Sequence, residues 1–181
     1  MSTTNSLLLT LVCLLLFSCS DPNYKGDNYV SFDSMDELTH EIIQSFKTKD
    51  DKKMLQLIAN DALMIDALFA TNTAQADQLK ARLNSPEGQA DLERQKLGKT
   101  IRIQGLFTGD LEKVDAKNLQ TGGMEVLSKK PYTEGSNATT HKYKMVLHDG
   151  NSNYYDYNIT VIHWENKYHL IEADGYLKAK Q

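Results

Sequence analysis

Apolar residues recur along this chain in two rhythms, and the change from one to the other divides it. Met35, Leu38, Ile42, Ile43 and Phe46 form a stripe at helical spacing. Ser34 stands before the stripe with Glu37 three residues on and Asp36 in the first turn, the signature of a capping box at a helix start. The step Lys47-Thr48-Lys49-Asp50 ends this helix, and a second is expected from about Asp51 to Phe69. The stretch Ala62–Phe69 is apolar on nearly every face and so predicts burial on more than one side. Between Ala74 and Leu97 the pattern gives two shorter helices. They break at Asn84-Ser85-Pro86, with Ser85 as cap and Pro86 in the first helical position.

Near Gly98 the period shortens. Ile101 and Ile103 alternate with Arg102 and Gln104, and β-branched and aromatic residues accumulate downstream. Strands are expected at Thr100–Phe107, Leu111–Val114, Glu125–Ser128, His141–Leu147, Tyr154–His163 and Tyr168–Asp174, with Gly122-Gly123 and Thr133–Asn137 separating some of them. Helices first and strands afterwards is an α+β order rather than an alternating α/β one.

The last three strands permit a register. A two-residue turn at Glu165-Asn166 pairs Trp164 with Lys167, His163 with Tyr168, Leu170 with Val161 and Glu172 with Ile159. A five-residue loop from Asp149 to Asn153 pairs His148 with Tyr154, Leu147 with Tyr155, Met145 with Tyr157 and Tyr143 with Ile159. A one-residue slip would mix apolar and polar faces, which favours this pairing. His141, Tyr143, Met145, Leu147, Tyr157, Val161, His163, Tyr168, Leu170 and Glu172 then share one face and are expected to pack on the helices. Lys142, Lys144, Asp156, Asn158, Thr160 and His169 share the other, expected to lie largely in water, with Ile162, Trp164 and Ile171 as a small exposed apolar patch there.

The N-terminus follows a different logic. Leu7–Phe17 is an apolar run broken only by Thr10, and no charged side chain precedes Asp21. It is too short for a bilayer span of about 20 residues and fits the apolar region of a secretory signal. Leu16-Phe17-Ser18-Cys19, followed by polar Ser20-Asp21-Pro22, resembles the lipobox of bacterial lipoproteins. The resemblance implies cleavage before Cys19 and lipidation of Cys19. Residues 1–18 would be signal, 19–32 lipidated cysteine and tether, and 33–181 one α+β domain. Phe17 is bulkier than that pattern favours, and the segment before the apolar run has no Lys or Arg. Each acyl chain would add about 0.8 kcal/mol per buried CH₂, enough for stable anchoring when chains are combined. It further implies a cell-envelope location on a bacterial membrane, most naturally the outer one, facing the periplasm or the cell surface.

Composition then narrows function. Of the two cysteines, Cys13 falls in the signal and Cys19 at the anchor, so cysteine nucleophiles, Cys-ligated zinc and iron–sulfur clusters drop out together. A net charge of −4 supplies no general basic field for nucleic acid. Glycine-rich phosphate loops and histidine pairs at helical metal-binding spacing are missing from the sequence, and no cofactor is expected.

The helical pair ELTHEIIQSFKTKDDKKMLQLIA and the closing hairpin ITVIHWENKYHLIEADG together resemble the cystatin-like/NTF2-like superfamily. That likeness implies helices on a curved antiparallel sheet, with a pocket between the layers. His141, His163, Tyr168 and Glu172 would project into it, and Asp66 could join them from the second helix. A neutral His beside a Glu in an apolar cavity has the makings of a general acid/base pair. The same residues equally describe ordinary core aromatics with hydrogen-bonded tips. Asp33-Ser34-Met35 also resembles the Asp-Ser/Thr-hydrophobic site that some gut-type bacteria O-glycosylate, in competition with the capping role of Ser34.

The expectation is a lipid-anchored extracytoplasmic module that binds a protein or small ligand without turning it over. Two alternatives stand beside it: a pocket enzyme of isomerase or hydrolase type using His141, His163, Glu172 and Asp66, and a structural component of the envelope.

Overall fold

The computed structural model describes residues 29–58, 67, 73–132 and 136–180, and the fold is α+β. Helices α1 (Met35–Thr48), α2 (Asp51–Leu57), α3 (Thr73–Leu83) and α4 (Pro86–Gly105) precede strands β1 (Gln120–Pro131), β2 (Thr139–His148), β3 (Tyr154–Trp164), β4 (Lys167–Ala173) and the short β5 (Lys178–Ala179). All strand pairs are antiparallel, in the order β1-β2-β3-β4, with β5 on β3 beyond the end of β4.

The start of α1 is built as its pattern requires. Ser34 Oγ accepts the Glu37 N–H at 3.1 Å, while Glu37 Oε2 reaches back to the Asp33 N–H at 2.9 Å. Leu38, Ile42 and Phe46 are fully buried, each contributing about 1.5–3 kcal/mol of transfer free energy. The helix closes on Lys49 in the left-handed region (φ 52°), a conformation that costs a non-glycine residue roughly 1–2 kcal/mol. Asp50 then caps α2 by accepting the Lys53 N–H at 2.8 Å. At the start of α4, Ser85 accepts the Gly88 N–H and Pro86 takes the first helical position. A side chain at Gly88 would press its Cβ to 2.0 Å from the Arg82 carbonyl oxygen, so α3 and α4 meet there only because the residue has none.

Four expectations about the elements are corrected. The second helix does not reach Phe69: it stops at Leu57, because Ile58 turns extended and bridges Leu170 in parallel. Of the remaining stretch expected as helix, only Ala67 is described, and Asp66 lies outside the described residues. The strand expected at Thr100–Phe107 is instead the end of α4, running on into a π-turn over Leu106–Asp110. Ile103 is 1% exposed and Ile101 60%, while Leu106, Phe107 and Leu111 are buried. That is helical spacing from Ile103 onward, and four alternating residues were too few to distinguish it from a strand. Leu111–Val114 is a turn for the same reason of continuity. Gly122-Gly123, expected as a break, lies inside β1, where a bulge between Thr121 and Gly123 uses the φ of 149° at Gly123.

The main core lies between α1, α2, the end of α4 and the inner face of the sheet, where Tyr143, Met145, Leu147, Tyr157, Ile159, Val161 and Leu170 all point inward. Phe46 meets Tyr157 edge-on at 5.1 Å. Phe32 is buried in this core and pairs its backbone with Tyr168 in both directions, at 3.0 and 2.9 Å, so the segment ahead of α1 is docked along β4.

The outer face is only half solvated. Ile162 and Trp164 are buried with Ala67 and Ala138 in a second cluster, against which Tyr29, Tyr132 and Ile171 pack. The expected exposed patch at Ile162, Trp164 and Ile171 is therefore covered. The pattern along the strands shows which face a residue takes, not what the segments ahead of α1 and β2 lay over it.

Candidate functional site

The β2–β3 register is the expected one throughout, from Tyr143↔Ile159 to His148↔Tyr154. The β3–β4 hairpin also begins as expected, with Trp164↔Lys167, His163↔Tyr168 and Val161↔Leu170. Its turn residues Glu165 and Asn166 both adopt positive φ, 51° and 59°, the backbone twist a two-residue hairpin needs. These pairings bring His141, His163 and Tyr168 together at one end of the inner face. The His141 and His163 rings are 6.3 Å apart edge-on, and His163 stacks on Tyr168 at 4.6 Å.

His141 is buried, and both of its ring nitrogens are engaged. Nδ1 lies 2.9 Å from the Tyr143 hydroxyl and Nε2 lies 2.8 Å from Thr139 Oγ1. A neutral imidazole offers one donor and one acceptor, and each hydroxyl serves in either role, so both tautomers are satisfied. Burial, with the Lys129 ammonium opposite on β1 and His163 beside it, holds the His141 pKa below the usual histidine value. Burial, then Tyr168, pushes the Tyr143 hydroxyl up. Both groups therefore keep their neutral forms at physiological pH. The i, i+2 series Thr139, His141, Tyr143 was the readable signal for this chain of hydrogen bonds, which sequence reasoning passed over.

Glu172 does not join them. An extra residue, Ile171, interrupts β4 where the pairing steps from Val161↔Leu170 to Thr160↔Glu172. This bulge turns Glu172 to the outer face, where it accepts a hydrogen bond from Thr160 Oγ1 at 3.3 Å. The expected Glu172–Ile159 pair is replaced by Ala173↔Ile159. A bulge needs only one inserted residue, and alternation cannot reveal it when either neighbour is apolar. Asp66, the other acid considered, lies outside the described residues. Among the described residues, no group of three or more His, Cys, Asp or Glu converges as a metal site would.

His169 sits on the opposite face, buried, with Nδ1 3.3 Å from the Val30 carbonyl and Tyr29 edge-on at 5.3 Å. Burial lowers its pKa, against the pull of the Val30 carbonyl. Asp149 closes the β2–β3 loop. It accepts hydrogen bonds from Asn153 Nδ2 at 3.0 Å, the Asn151 N–H at 2.9 Å and the Tyr155 hydroxyl at 3.2 Å, and these, the Asn153 bond above all, hold its carboxyl below the ordinary range. Ser34, the candidate glycosylation residue, has its hydroxyl in the α1 cap. Compared with protein-family models, curated proteins and solved structures, the chain finds no significant match.

Proposed function

We propose that this chain is a lipid-anchored extracytoplasmic protein whose α+β domain binds a small ligand or a protein without transforming it. The anchor rests on the lipobox-like Leu16-Phe17-Ser18-Cys19. The order of helices followed by an antiparallel meander supports membership of the cystatin-like/NTF2-like superfamily, whose members often carry a pocket.

One observation carries the non-catalytic reading. Both ring nitrogens of His141 are held by hydroxyls within the fold, while Glu172, the acid it would have worked with, stands on the other side of the sheet. An acid/base pair needs its members within hydrogen-bond reach of one substrate. The pocket-enzyme reading retains one supporting feature: His163 is only partly buried, and no hydrogen bond engages its ring among the described residues.

Radiolabelled palmitate should enter the wild-type chain and not Cys19→Ala; equal label in both would overturn the anchor. Crosslinking in intact cells followed by affinity capture should then return the same partner from wild type and from His163→Ala. Loss of the cellular role in His163→Ala with the fold and melting point unchanged would instead favour the enzyme.

A further inference from the structure

The outer face carries a cleft of about 270 Å³ that the His/Tyr cluster does not reach. Its floor is one row of residues across three strands. Lys142 on β2 pairs with Thr160 on β3, and Thr160 pairs with Glu172 on β4. A cation therefore stands at one end of the row and an anion at the other, about 9–10 Å apart at the backbone, with a hydroxyl between them. Asp174 extends the acidic end, accepting Asn158 Nδ2 at 2.9 Å, and Arg102 lines the cleft from α4.

Several other charges along the sheet are ion-paired. In the next row Lys144 is ion-paired with Glu125, Lys180 pairs with Asp156 at 3.4 Å, and Lys167 pairs with Asp33. Lys142, Arg102, Glu172 and Asp174 make no ion pair among the described residues, although all four line one cleft. Glu172 has only its Oε2 engaged, by Thr160. Its place in the row depends on the β4 bulge, and without that extra residue it would face the core. Bulges re-aim side chains beside functional sites often enough to be read as built features.

We infer that this cleft binds a small zwitterion of dipeptide length, its ammonium on Glu172 and Asp174 and its carboxylate on Lys142. Two extended residues span about 7 Å at ~3.3–3.6 Å each, within the ~9–10 Å backbone span of the row. A free α-amino acid is too short to reach both ends. The cleft is smaller than the ~300–1,000 Å³ of drug-sized ligand sites and suits a molecule of this size. Arg102 adds a second cation to the wall of the cleft, so its charges balance without a ligand of net charge. The inference rests on the binding reading above but not on the lipid anchor.

The test is calorimetric titration of the full chain in detergent with alanylalanine. The comparison ligands are its N-acetyl derivative, its C-terminal amide and the doubly blocked form. Saturable binding is expected for alanylalanine, weakened by about two- to fivefold when either end is blocked, the scale of one exposed charge pair. Lys142→Gln should bind dipeptide and amide alike, Glu172→Gln should bind dipeptide and N-acetyl form alike, and Lys144→Gln should behave as wild type. No saturable binding, equal binding of the doubly blocked form, or indifference to both Lys142→Gln and Glu172→Gln would each overturn the proposal. A partner captured from cells alongside a negative titration would sink this site while leaving the binding reading intact.

Discussion

The two faces of the sheet handle polar side chains in opposite ways. On the inner face, Thr139, His141 and Tyr143 consume one another's hydrogen-bonding capacity, and aromatic stacking finishes the job with His163 on Tyr168. On the outer face, Lys142 and Glu172 stand in one row with Thr160 between them and do not meet. Polar groups that satisfy each other inside a fold are accounted for by the fold itself. Charges held apart at the rim of a cleft are free to meet a ligand, and that contrast directs the search for function to the face that looked merely solvated.

The contrast makes ordered predictions. Phe46→Ala, which empties the inner core against Tyr157 and Phe107, should cost about 3–5 kcal/mol in urea unfolding. Trp164→Ala should cost about 3 kcal/mol, the lower end of that range, because among the described residues its outer cluster is smaller and its Nε1 is buried without an acceptor. Trp164→Phe removes that N–H and should cost less than half as much. Equal losses for Phe46→Ala and Trp164→Ala would mean that the outer cluster is as deep as the core.

A smaller effect should follow pH. His141 and His169 have folded pKa values held down by burial, so the unfolded chain binds their protons more readily. Their contribution is whole above the unfolded value of about 6.5 and fades as pH falls through the lowered folded values. The groups facing them are Lys129, His163 and Tyr143 around His141, and His163, Lys167 and the Val30 carbonyl around His169. Melting temperature should fall between pH 7.5 and pH 5, and the double variant His141→Gln, His169→Gln should flatten that slope. An unchanged slope would show that other groups govern it. Least of all, Lys142→Gln and Glu172→Gln should each move stability by no more than about 0.5 kcal/mol, although each is expected to weaken dipeptide binding. A larger loss would make them structural and remove the contrast between the faces.

Much of this architecture was readable. The caps at Ser34 and Ser85, the α1 stripe, the Glu165-Asn166 turn and every β2–β3 pair follow from local side-chain chemistry or from the two-residue period of a strand. The candidate site was readable in part. His141, His163 and Tyr168 meet as expected because their strands keep register, but Glu172 left them through a single extra residue at Ile171. Lys142 was placed on its true face and is exposed there as expected, whereas Arg102 was assigned to a strand that is a helix.

The sequence by itself determined the helix starts, the hairpin turns and the alternation of the sheet, because these depend on residues within a few positions of one another. Only the tertiary structure decided where α2 stops, that the apolar run after Gly98 stays helical, that Ile162 and Trp164 are covered, and which face Glu172 takes. Each of these depends on a partner far along the chain: Leu170 for Ile58, the inner core for Ile103 and Leu106, Ala67 and Ala138 for the outer cluster, and Thr160 for Glu172. Local pattern states which side chains need burial or pairing, and distant contacts decide which of them obtain it.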